Sequence, residues 1–194
     1  MSKIKLQGNA SGAGTTTLQS PNTATSATLT LPDVASADTL VSLGLAQTFT
    51  AAQTFAGTTS NLGLILQDAA EVCTVSATAA TGTINYDATT QNVLYYTSNA
   101  SANWTVNFRG SSGTSLNTLM SVGQVLTVTF LVTQGSTAYY NSAVQVDGSS
   151  VTPKWQGGTA PTAGNASGVD AYVYAIVKTA SATFTVFASQ TRFA

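Results

Sequence analysis

Val125-Leu-Thr-Val-Thr-Phe-Leu-Val132 is the stretch whose reading sets the fold class. Its residues alternate with a period of two, and β-branched and aromatic types dominate, as in a strand with one buried face. Trp104-Thr-Val-Asn-Phe108 and Phe184-Thr-Val-Phe187 carry the same alternation. Working outward from these, strands are predicted near residues 63–66, 72–76, 83–86, 93–97, 104–109, 124–133, 138–146, 170–178 and 182–193. Turn signals fall between them at Gly110-Ser-Ser-Gly113, Gln134-Gly135 and Asp147-Gly148. Short strands punctuated in this way predict an all-β chain, with a jelly-roll-like β-sandwich over residues 61–194. Ser115-Leu-Asn-Thr-Leu-Met120 reads as a single helical turn with Leu116, Leu119 and Met120 on one face. Residues 151–168 read as a long loop, a feature that in a compact domain often carries function.

Residues 1–60 have a different texture, rich in Thr, Ala, Ser and Gln and short of large apolar side chains. They are expected to form an extended, β-rich attachment or shaft segment, ending at the turn-forming cluster Ala56-Gly-Thr-Thr-Ser60. Thr28-Leu-Thr-Leu31 suits a strand that Pro32-Asp33 stops. Ser36 to Gly44 suits a short helix, capped by Ser36 or Asp38 and closed by Gly44. A helix of about two turns is unstable alone in water, so Leu40 and Leu43 need a partner surface. The triplet Gln47-Thr-Phe49 recurs as Gln53-Thr-Phe55. The even spacing puts Phe49 and Phe55 on one face of an extended strand, where copies of the chain stacked about an axis would bury both rings.

Composition narrows the function classes. Charged residues are 7% of the chain, where about 25% is usual for soluble domains. Six basic residues face seven acids, for a net charge of −1, and no basic run exists that would neutralise several phosphates. Nucleic acid is therefore not an expected partner. A net charge this close to zero favours association. Met1-Ser-Lys-Ile-Lys-Leu-Gln-Gly8 lacks the apolar run of a signal peptide, and the apolar windows at 125–132 and 171–177 are too short to span a bilayer. The expectation is a protein made in a cytoplasm, without membrane insertion.

Catalysis and metal binding lack the necessary residues. With no His and one Cys, a zinc site is excluded, and Cys73 has no imidazole to activate it; it reads as a small buried hydrophobe. Glycoside hydrolysis needs two carboxyls about 5–9.5 Å apart. Asp68 and Glu71 are at odd spacing, and Asp147 and Asp170 could meet only across loops. No catalytic residue, metal ligand or cofactor is assigned, and a non-enzymatic protein is expected. Recognition candidates are aromatic: Trp155 beside Lys154 in the long loop, and the adjacent pair Tyr139 and Tyr140, of which one ring should face outward from a strand. The plainer alternative is that Trp155 plugs the end of the sandwich or a contact between subunits.

Several phrases resemble bacteriophage virion fibre proteins, especially those of marine and cyanobacterial phages. They are Gly8-Asn-Ala-Ser-Gly-Ala-Gly-Thr15 with Ala27-Thr-Leu-Thr-Leu-Pro-Asp33, the Gln-Thr-Phe tandem, Met120-Ser-Val-Gly-Gln124, Ser149-Ser-Val-Thr-Pro-Lys-Trp-Gln-Gly-Gly158, Ala163-Gly-Asn-Ala-Ser167 and Ser189-Gln-Thr-Arg-Phe-Ala194. The resemblance implies a homotrimeric virion appendage, a tail fibre or a neck or head fibre. Its N-terminal part would dock on other virion proteins and its C-terminal β-domain would be distal, in reach of a host-surface glycan. A carbohydrate-binding host-recognition module and a capsid or neck decoration protein remain as alternatives.

Overall fold

The structure is a computed structural model, and it describes residues 48–49, 52–60 and 62–194. The chain divides into two units, residues 1–63 and residues 64–194. In the first, the described residues form no strand or helix, and Phe49 and Phe55 are exposed. The expected strand at 28–31 and the helix carrying Leu40 and Leu43 lie outside the described residues.

The second unit is mostly β. Its strands are β1 (Cys73–Ala79), β2 (Gly82–Asp87), β3 (Val93–Ser98), β4 (Trp104–Arg109), β5 (Val125–Thr133), β6 (Asn141–Val146), β7 (Ser149–Val151), β8 (Lys154–Trp155), β9 (Val169–Ala180) and β10 (Thr183–Phe193). One helical turn, α1 (Leu116–Leu119), lies between β4 and β5, and a 3-10 turn follows β8 at Gln156–Gly158. The strand expected at 63–66 does not form. That segment lacks alternation, and Leu64, Ile65 and Leu66 are all exposed.

The strands make two sheets, in the orders β1-β3-β5-β9-β10-β8 and β2-β4-β6-β7. From β1 to β6, successive strands alternate between the sheets, and β1 to β4 each pair in parallel with the strand two places on. One circuit of the chain carries it from Cys73 to its neighbour Val93, and the next from Val93 to Thr129. The second sheet advances in step, with Gly82 beside Trp104 and Val106 beside Val144. The long strands β9 and β10 then close the winding as an antiparallel hairpin against β5. This corrects the jelly-roll-like expectation, because a jelly roll is built from antiparallel Greek keys. Alternation identifies strands and their faces but not their partners. Parallel neighbours need a crossover, and here the crossover is a strand of the other sheet.

The inner faces of both sheets share one buried cluster that includes Ile84, Tyr86, Trp104, Val106, Phe108, Phe130, Val144, Tyr172, Tyr174, Ile176 and Val186. Trp104 reaches across from the second sheet to meet Phe130 and Tyr172 edge-on, at 6.1 and 5.7 Å between ring centres, and Phe108 meets Tyr174 at 4.8 Å. Ser115 caps α1 by accepting from the Thr118 amide. Asp147, in the left-handed turn between β6 and β7, accepts from the Leu116 and Asn117 amides at 2.7 and 2.9 Å. At the other end of α1, the buried Lys178 donates to the Asn117 and Met120 carbonyls at 2.6 and 2.8 Å. Of the apolar face expected on this turn, Leu116 is buried, Met120 is half-buried and Leu119 is exposed.

Phe130 is fully buried where the two sheets meet. Phe130→Ala is expected to lower unfolding stability by about 3–5 kcal/mol, measured by urea denaturation followed through tryptophan fluorescence. A loss below about 1 kcal/mol would mean that this shared core does not hold the sheets together.

Candidate functional site

Trp155 is not in a loop, as the sequence suggested. It lies on β8, a short strand that pairs in parallel with β10, with Lys154 beside Phe187 and Trp155 beside Ala188. The predicted loop 151–168 thus contributes a sheet edge and a 3-10 turn. Because residues alternate, the Trp155 ring turns inward and packs against Tyr172 and Tyr174 at 6.4 and 6.3 Å. Lys154 turns outward, with its Nζ 5.8 Å from the centre of the Phe187 ring. Trp155 is half-buried, and its remaining surface lines three hollows. The largest, about 690 Å³, runs between β6, β7 and the 153–161 segment. A second, about 370 Å³, lies over Val173 and Phe187, and the third, about 580 Å³, is lined by Gln156, Thr159, Gln190 and Arg192.

Tyr139 and Tyr140 line none of these hollows. They precede β6 rather than belonging to it, and both are half-buried. The Gln134 side chain clamps Tyr139, accepting from its amide and donating to its carbonyl at 2.9 and 2.8 Å. The Tyr139 ring packs on the core. Among the sequence candidates, then, Trp155 and Lys154 come together while the tyrosines stand apart. Phe49 and Phe55 belong to the other unit, and Leu40 and Leu43 lie outside the described residues.

Behind Trp155 lies a buried polar network that sequence reasoning missed. Asn141 is its hub. Its amide donates to the Tyr172 hydroxyl at 3.3 Å, and its Oδ1 accepts from the Tyr174 hydroxyl at 3.1 Å. Gln190 bridges the Tyr172 hydroxyl and the Ala163 carbonyl, and Arg192 also donates to Ala163. Burial pushes both phenols above their ordinary range. Asp170 is fully buried; its Oδ2 accepts from Gln134 Nε2 at 2.9 Å and from the Asn165 amide at 3.0 Å, while Oδ1 has no partner. Asp170 and Lys178 are in phase with Tyr172, Tyr174 and Ile176 along β9, so alternation was a usable signal for their burial.

Among the described residues, three carboxyls have structural partners. Asp147 is committed to α1 and Asp170 to Gln134 and Asn165, while Asp87 pairs with Arg109 on the outer face of the four-stranded sheet. Asp68 and Glu71 are exposed and lie outside the strands. Cys73, expected to be buried, is exposed on β1. Among the described residues, no group of three or more His, Cys, Asp or Glu side chains is placed to hold a metal ion. No helix among them is long and apolar enough to cross a membrane. The chemistry available around Trp155 is apolar stacking with amide, hydroxyl and cationic donors at the rim.

Burial is the main cause that raises the Asp170 carboxyl above the usual carboxylate range, partly offset by the Asn165 and Gln134 hydrogen bonds and by Arg192. A raised folded-state value means that the folded protein holds this proton more tightly than the unfolded chain. The stability so gained is present at low pH and is lost as pH rises through the folded value. Asp170→Asn keeps an acceptor for Gln134 and Asn165 and removes the titration. Its melting temperature relative to wild type is expected to rise between pH 4 and pH 7; a difference that is flat across this range would contradict the burial of a titrating carboxyl. Compared with known proteins, the chain matches no family model, no curated protein and no solved structure.

Proposed function

We propose that the chain is a non-enzymatic structural subunit of a phage virion, a homotrimeric fibre. Residues 1–60 dock on the particle, and residues 61–194 form the distal sandwich knob. One observation carries the reading. Between residues 48 and 72 the described residues form no strand or helix, yet they expose large apolar side chains: Phe49 at 53%, Phe55 at 59%, Leu62 at 83%, Ile65 at 84% and Leu66 at 67%. Each such side chain gains about 1.5–3 kcal/mol when buried, and none of them belongs to the buried cluster of the described residues. Copies arranged about an axis supply that burial. The low charge of the chain and its resemblance to fibre proteins support the same reading, as does a unit built by stacking strands in parallel.

A second reading is favoured by the half-buried Trp155 among its three hollows: recognition of a host-surface glycan by the same protein. Trp and neighbouring amide and hydroxyl groups are the means by which such ligands are stacked and oriented.

Light scattering of the full chain is expected to give three times 19.7 kDa, and a monodisperse monomer would overturn the assembly. Trp155→Phe preserves packing on Tyr172 and Tyr174 but reduces the stacking surface. With Gln156→Ala added, it is expected to weaken adsorption to host cells at least tenfold, and unchanged adsorption would place recognition elsewhere.

A further inference from the structure

The two outer faces of the second unit differ in kind. On the four-stranded sheet the outward side chains are polar: Asn107 donates to Asn85 at 2.8 Å along the parallel stack, Gln145 stands next in register, and Asp87 pairs with Arg109. Asn107 is buried, and the others are half-buried or exposed. The six-stranded sheet is the opposite in polarity. Across β1, β3, β5, β9 and β10 its outward positions carry no charged side chain at all. Val75, Val93, Val125, Leu131, Val173, Val177 and Phe187 stand there with Cys73 and Tyr95 among Thr, Ala and Ser. The only charge on this face is Lys154 on the edge strand β8, set over Phe187. Val75 is 64% exposed, Val125 56%, Phe187 47% and Val173 37%.

A half-buried antiparallel strand reads apolar on one side and polar on the other, whereas a strand covered on both faces reads as a near-continuous apolar run. β9, Val-Asp-Ala-Tyr-Val-Tyr-Ala-Ile-Val-Lys over 169–178, is of the second kind. Its even positions fill the core, and its odd positions are Val, Ala, Val, Ala and Val. The core accounts for the first set only.

We propose that the outer face of the six-stranded sheet is the surface through which the knob packs on another copy of this chain. This deepens the fibre reading and rests on it. Size and charge select a second copy as the occupant. Five strands about 4.8 Å apart and about 20–40 Å long present roughly 700 Å², close to the about 800 Å² per partner of a standard stable interface. An uncharged face meets its own copy without like-charge repulsion, while a charged partner would lose hydration there and gain no ion pair.

Single-cysteine chains in a Cys73→Ser background test this, since Cys73 lies on the same face. Val173→Cys sits at its centre, and Ser150→Cys, on the outer side of the polar sheet, is the control. With the full chain, a polyethylene-glycol maleimide is expected to label Val173→Cys at least tenfold more slowly than Ser150→Cys. A short bismaleimide is expected to join Val173→Cys chains into covalent pairs on a denaturing gel, and Ser150→Cys chains not. Equal labelling in an oligomer would overturn this interface and leave the assembly standing. Slow labelling without cross-linked pairs would mean that something other than the same face of another copy covers it, which also overturns the proposal. A monomeric mass would remove the assembly itself.

Discussion

Parallel pairing without a helix is the constraint on which the second unit depends. Two parallel strands cannot be joined by a tight turn, and the chain must travel back before the next strand can lie beside the last. Here the return leg is itself a strand, in the opposite sheet. Each circuit therefore adds one strand to each layer, and the side chains on the inside of both legs face each other. This is why Trp104 touches Phe130 and Tyr172 across the layers, and why a single apolar cluster serves both sheets. The antiparallel pair β9 and β10 ends the winding and supplies two of the fully buried tyrosines.

Much of this was legible. Trp104–Arg109 was located to the residue, and Val125–Thr133 to within one, because in each every second residue is a large apolar side chain that faces the core. The turn at 115–120 was legible from Ser115 and its spacing. Pairing was not legible, since a period of two reports which way a side chain points and is silent on what lies alongside. Nor was β8 legible. A two-residue strand leaves no period to detect, and Pro153 and the Gly157-Gly158 pair dominate the reading of that segment. Of the candidate site, the closeness of Trp155 and Lys154 was visible as adjacency, but their opposite orientations depend on pairing with β10. Asn141, the hub of the buried network, looks like any other polar residue ahead of a strand.

Two of the few charges are spent on the ends of one helical turn. Asp147 and Lys178 bind the two ends of α1, each by two hydrogen bonds, and so tie the crossover between β4 and β5 to β6 and β9. Charge-assisted bonds to backbone groups are among the stronger ones available. A chain with so few ions has placed them where a short helical turn would otherwise leave amides and carbonyls open. The outer face of the four-stranded sheet carries amides, hydroxyls and one ion pair, and that of the six-stranded sheet is largely apolar, with Lys154 at its edge.

The register of β5 with β9 sets a timetable. Val125 lies opposite Val177, roughly fifty residues later in the chain. At synthesis rates of about 5–20 residues per second, β5 leaves the ribosome several seconds before its antiparallel neighbour exists. During that interval the nascent chain holds a growing parallel stack with an open hydrogen-bonding edge. Contacts this distant in sequence also slow folding once synthesis is complete. The closing hairpin therefore acts as a final step, completing the winding only when the last stretch of the chain has been made.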